Sequence, residues 1–186
     1  MNIFRYLALS FLASLVFAGC NELDQQPTNK FTDKSFWVST DKAKLVLNMA
    51  YNQMYKHDKI WLDESLSDNF IKFRGSPDEK VIRMGNANPS TDLFRSEWKW
   101  VFEGIKTTNV FMDNVVLIPE FDSQEKERMK AEVRFIRAFL YFRLSNLYGD
   151  IPFFLGDITL EESKNMTRTP RAQVISTLHS ELDEII

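Results

Sequence analysis

Apolar side chains recur at helical spacing in four stretches of the chain, and those stretches predict its main elements. In the first, Ala43, Val46, Leu47, Ala50 and Met54 predict a helix from Asp41 to Lys56, behind the cap candidates Ser39 and Thr40. In the second, Phe94, Trp98, Val101, Phe102, Ile105, Met112 and Val116 form one stripe over Asp92 to Leu117, before Ile118 and Pro119 stop it. Asn109 falls within that stripe, and a buried amide without partners costs about 1–3 kcal/mol, so it must be bonded. The third stretch starts near Ser123 and is closed by Gly149, a C′ candidate. It carries two apolar stripes: Met129, Val133, Ile136, Leu140, Leu144 and Leu147, then Ala131, Phe135, Ala138, Phe139 and Phe142. A helix apolar on two sides is packed on two sides, as inside a helical array. Arg134 and Arg137 lie between the stripes, where ion pairs to neighbouring helices suit them. Thr169 and Pro170 open the fourth helix, with Val174, Leu178, Leu182 and Ile185 on one face. That pattern is expected to continue beyond Ile186. Between the helices, Trp61–Thr91 is punctuated by Gly75, Pro77, Gly85 and Pro89, and Asp150–Ile158 contains Pro152. Both are expected to be irregular or extended.

The beginning of the chain has a different pattern. Arg5 is the only charge before Glu22, and Tyr6–Phe17 is a mostly apolar run too short to span a bilayer. It leads into Phe17-Ala18-Gly19-Cys20, which resembles the lipobox of bacterial lipoproteins. The resemblance implies a signal peptide over residues 1–19 and acylation of Cys20 as the lipid anchor, with the attached chains holding the protein at a membrane. Residues 20–40 are polar and read as a tether, from which Phe31, Phe36 and Trp37 dock on the body at residues 41–186.

Composition narrows the classes. With 23 Lys and Arg against 26 Asp and Glu, the net charge of −3 argues against a nucleic-acid surface. One cysteine leaves no internal disulfide and no paired-cysteine zinc site. Phe accounts for 16 residues, against five Tyr and four Trp, which favours a packed core. His57 and His179 stand in no zinc motif, and there is no phosphate-binding glycine loop or nucleophile elbow. No metal, cofactor or catalytic residue is assigned, and the chain reads as a non-enzyme. Asp63, Glu64 and Asp68 could in principle hold a cation, but a solvated loop is the expectation.

One segment carries a family resemblance. Ala131-Glu132-Val133-Arg134-Phe135-Ile136-Arg137-Ala138-Phe139-Leu140-Tyr141-Phe142, followed by Leu147-Tyr148-Gly149-Asp150-Ile151-Pro152, resembles the SusD/RagB family of outer-membrane nutrient-binding lipoproteins. Leu23-Asp24 and Pro27 after the cysteine, Phe36-Trp37, Ala50-Tyr51, Ser67-Asp68, and Trp98, Phe102, Ile105 and Asn109 follow the same order. The resemblance implies an all-α, tetratricopeptide-like helical array with long irregular loops, of which this chain would be the incomplete N-terminal part of a larger domain. It also implies a surface-exposed, lipid-anchored protein of the outer membrane. Such a protein would bind an oligosaccharide or other nutrient oligomer and hand it to a SusC-type TonB-dependent transporter. In the starch-binding member an aromatic that stacks on sugar follows the Ser/Thr-Asp match. Phe73 and Arg74 occupy that place and are the candidate ligand-binding residues, against a reading of Phe70 and Phe73 as loop core. The alternative function is a structural helical lipoprotein that scaffolds an envelope complex without a ligand.

Overall fold

The computed structural model describes residues 36–54 and 56–186. The signal segment 1–19, Cys20 and Phe31 lie outside the described residues. Residues Trp37–Ile186 form one compact unit. Among them are α1 (Thr40–Met54), α2 (His57–Ser65), α3 (Pro77–Arg83), α4 (Asp92–Asn114), α5 (Ser123–Tyr148), α6 (Leu160–Asn165) and α7 (Arg171–Asp183). A single 3-10 turn, Val115–Leu117, ends α4.

The four long helices stand where the apolar spacing puts them, and α5 is the one all the others meet. Asp122 caps it, its Oδ1 accepting from the Glu125 N–H at 2.8 Å, and Gly149 ends it at φ 72°, a conformation that favours glycine. Cross-links fix the directions. Tyr148 Oη at the end of α5 donates to the Phe94 carbonyl at the start of α4 (2.6 Å), so these two helices form an antiparallel hairpin. α7 also opposes α5, with Arg171 bonded to Asn146 at 2.7 Å and Arg134 to Glu181 at 2.9 Å. α1 runs with α5, since Lys44 meets Glu125 at 3.0 Å and Tyr51 donates to Glu132 at 2.9 Å. α1 and α4 meet closely at Gly104, where an added Cβ would lie 2.7 Å from Leu140 Cδ1 and 3.4 Å from Gln53 Cβ. The array is therefore layered up, down, up, down, held by an interior of Val101, Ile105, Phe111, Met129, Val133, Ile136, Leu140 and Leu144. Trp37 is buried against the Phe111 edge, with ring centroids 6.0 Å apart, as its docking role requires.

Several expectations need correction. α2 and α3 interrupt the stretch expected to be irregular, and Ser76 caps Pro77–Arg83 by accepting from the Glu79 N–H (3.3 Å). α6 was equally legible in Thr159 and Glu162, which form a reciprocal capping box. On α4 and the turn that ends it, Thr108, Phe111 and Val115 are buried while Val116 is exposed, because this helix meets α1 on one side and α5 on the other. On α5, Leu147 is exposed. The second stripe there is only partly covered: Ala138 is buried against α7, Phe139 is half-buried, and Phe135 and Phe142 remain 47% and 52% exposed. A hollow of about 250 Å³ between α5 and α7 follows this uncovered strip.

Candidate functional site

Two arginine-centred clusters on α5 organise the molecule's polar interior. The first supports an extended strap. After Gly149 the chain leaves α5, and Ile151 and Thr169 exchange both backbone hydrogen bonds (3.2 and 2.7 Å), pinning the two ends of the excursion that contains α6. Beneath the strap, Arg137 Nη1 donates to Asn109 Oδ1 (2.9 Å) and to the Leu155 carbonyl (2.7 Å). Its Nη2 donates to Glu181 Oε2 at 2.7 Å. Asn109 Nδ2 donates to the Gly156 carbonyl at 2.9 Å, and Tyr141 Oη donates to the Phe154 carbonyl at 2.6 Å. Asn109 is fully buried, so the amide in the apolar stripe is bonded as its position demands. Burial pushes the Tyr141 phenol up, against the pull of its own hydrogen bond and of Arg137. Glu181 is lowered: burial works the other way, but Arg134 and Arg137 outweigh it. Arg134 also reaches Glu184 at 2.6 Å, so both arginines tie α7 to α5.

The second cluster floors a cleft of about 860 Å³. Leu62 and Leu66 enter its wall from α2 and the turn after it, and Ile82 comes from α3. Phe94 and Trp98 of α4 and Tyr148 of α5 supply aromatic surface. Arg143 crosses the floor, donating to both Asp63 oxygens (2.8 and 3.0 Å) and, through Nε, to Glu97. Lys59 also meets Glu97 and sits 4.4 Å from the centre of the Trp100 ring. Two bases thus face two acids. Burial opposes the charge of Arg143, yet the two carboxylates hold its pKa above the ordinary arginine value. Burial and the negative charge of Glu97 raise Tyr148. At the mouth, the Arg168 guanidinium lies 5.8 Å from the Trp98 ring centre and donates to the Asp150 carbonyl at 3.0 Å.

The candidate residues are not among those that line this cleft. Phe73 is 98% exposed and Arg74 is also exposed, on the loop that joins α2 to α3. Phe73 is therefore not loop core, and Phe70, its ring 5.6 Å from Trp61, is itself exposed, as Trp61 is. Asp63 does not belong to a cation site, because Arg143 takes both its oxygens. Among the described residues no group of three acidic, histidine or cysteine side chains could hold a metal. Nor is any helix among them long and apolar enough to cross a membrane. Sequence reading missed Glu97 and Arg143, although a signal existed. Glu97 sits between Phe94 and Val101 on one helix face, and an acid in an apolar stripe needs a buried base.

Comparison with known proteins agrees with this architecture. A family model for SusD-like proteins, described as starch-binding and associating with the outer membrane, matches residues 23–186. SusD-like protein P25 of Formosa agariphila is 35% identical over 98% of this chain, and SusD-like protein P38 of the same organism is 24% identical over 99%. The chain spans 37% and 38% of these relatives' own lengths. A SusD-like carbohydrate-binding protein from Bacteroides fragilis superimposes with a TM-score of 0.71 at 27% identity, over 81% of this chain and 31% of that one. A laminarin-binding SusD-like protein superimposes with a TM-score of 0.72 at 20% identity, over 80% of this chain and 34% of its own, which shows the shared tetratricopeptide-like helical fold. With the family match covering nearly the whole chain and the helices in the same arrangement, this chain belongs to the SusD-like family.

Proposed function

We propose that the chain is part of a cell-surface glycan-binding lipoprotein that delivers oligosaccharide to a SusC-type TonB-dependent transporter. The family match over residues 23–186 carries the reading, because similar proteins are named for carbohydrate or laminarin binding. In it, Cys20 is the acylated anchor at the outer membrane, and the face bearing the α2–α3 loop is the ligand face. Phe73 suits that role. Its ring lies open to solvent, and a sugar's C–H face can stack there. Arg74 beside it offers several donors to hydroxyls.

The test compares oligosaccharide binding by the parent chain and by a Phe73→Ala, Arg74→Ala double variant, after thermal melts establish equal stability. The expected result is a loss of about tenfold or more, the scale of one or two lost stacking and hydrogen-bond contacts. Equal affinity removes this loop from the site. For the anchor, Cys20→Ser is expected to abolish lipid labelling and outer-membrane retention, and unchanged labelling rejects it.

A further inference from the structure

The cleft floored by Arg143 is charge-balanced inside and cationic at its mouth, and that asymmetry points to one class of ligand. Asp63 and Glu97 are both engaged by Arg143, and Glu97 by Lys59 as well. The inner acids are therefore neutralised within the floor. Arg168 stands outside that balance. It donates to a backbone carbonyl and overlies Trp98, and among the described residues no carboxylate pairs with it. Arg95, also in the cleft lining, has only the Asp92 pair at 3.2 Å, with both side chains about three-quarters exposed. Such pairs are worth little in water. Two arginines are thus available at the rim of a hollow whose wall includes Phe94 and Trp98.

We infer that this cleft takes an acidic sugar unit, a ring bearing a carboxylate or sulfate, with the anion on Arg168 and Arg95. The inference rests on the glycan-binding reading above and adds the charge class of the ligand. Arginine presents a planar fork that matches a carboxylate or sulfate oxygen pair, so it selects for the anion as well as attracting it. The ring's apolar face packs on Phe94, since Arg168 already overlies Trp98, and this leaves its hydroxyls toward the open side. A volume of about 860 Å³ accommodates more than one sugar ring. The balanced floor matters as much as the rim. With Asp63 and Glu97 unpaired, the same cavity would repel an anion; with both held by bases, the rim charge is not cancelled.

The experiment is calorimetric titration of the full chain with three probes: oligogalacturonate for the carboxylate, a sulfated galactan oligosaccharide for the sulfate, and a neutral laminari-oligosaccharide. One acidic probe is expected to bind about tenfold or more tighter than the neutral one. Arg168→Gln should lower that affinity about tenfold and leave the neutral probe unchanged, while Arg168→Lys, with the charge but not the fork, should fall between the two. Arg168→Lys retains the charge, so a Gln variant that loses binding by misfolding is recognised from its melt and from the Lys result. Tighter binding of the neutral probe, or equal acidic affinity in parent and Arg168→Gln, overturns the inference and leaves glycan binding standing. No binding of any of the three probes counts against both readings.

Discussion

Arg137 and Arg143 stand less than two turns apart on α5, and they solve the same problem differently. Arg137 is almost wholly buried, and it faces one carboxylate, one amide oxygen and one backbone carbonyl. Arg143 is half-buried and faces two carboxylates, with a second base close by on Glu97. The first arrangement uses dipoles as well as charge, and its partners are spread over α4, the strap and α7. The second is a closed exchange of charge between α2, α4 and α5 at the edge of a cavity. Where a cation must carry backbone that has no secondary structure, neutral acceptors do the carrying. Where it must leave a surface clear for another molecule, paired carboxylates neutralise it in place. The strap cluster is architecture; the cleft cluster is a floor.

Removing Arg137 should therefore cost more than any other change discussed. Arg137→Ala strands Asn109 Oδ1 and the Leu155 carbonyl together and leaves Glu181 with Arg134 alone. Two buried acceptors left unpaired cost about 1–3 kcal/mol each, and the lost charge pair adds to that, to be read as the loss in urea unfolding free energy. A loss comparable to that of an ordinary surface substitution would show that the strap finds other partners and that the contrast with Arg143 is false.

Asn109→Leu probes the same cluster from α4. It removes the donor to the Gly156 carbonyl and the acceptor for Arg137, without opening a large cavity. An expected cost of about 1–3 kcal/mol in the same assay follows from leaving those groups unsatisfied. Backbone exchange of the strap amides should rise with it, because the loss is local to residues 154–157. If the cost appears without faster exchange there, the amide matters to helix packing and not to the strap.

How much of this was legible in the sequence differs between the two clusters. Asn109 announced itself as an amide in an apolar stripe, and Arg137 as a base between two stripes, so their burial and pairing could be anticipated from spacing alone. That the partners would be strap carbonyls could not, because an extended segment has no period to fix where it runs. The cleft was less readable. α2 was hidden by its mixed composition, Trp61 and Asp63 looking like loop residues, and without α2 neither Lys59 beside Glu97 nor Asp63 beside Arg143 could be suggested. The two-sided packing of α5 was readable as a pattern, but not how far α7 would cover the second side, since helix length and crossing set that. Phe73 could be placed in the right loop while its full exposure depended on a turn geometry the residues do not specify.

The cleft floor makes a milder prediction. A double-mutant cycle with Arg143→Met and Asp63→Asn should give a coupling of about 1 kcal/mol, less than the Arg137–Glu181 equivalent, because Asp63 is partly open to solvent. A larger coupling would place Arg143 in the same structural class as Arg137, and the distinction between carrying backbone and balancing a cavity would fail.

The smallest effect is a titration. Glu181 has a depressed pKa in the folded chain, held down against burial by Arg134 and Arg137. A carboxylate whose folded pKa lies below its unfolded value, about 4.3 for Glu, contributes stability that is complete above the unfolded value. That contribution is lost as pH falls through the folded pKa, when the proton neutralises the side chain and the arginines lose their partner. The acid limb of a stability-against-pH curve should therefore begin near pH 4 and steepen below it. Arg134→Gln removes one of the two cations and raises the folded pKa toward the unfolded one, so the variant should show a shallower limb. Arg137 stays in place there and still meets Glu181 at 2.7 Å, so the limb should flatten without vanishing. If Arg134→Gln leaves the limb unchanged, Arg137 alone sets the ionisation of Glu181, and Arg134 belongs with the exposed pair it makes to Glu184.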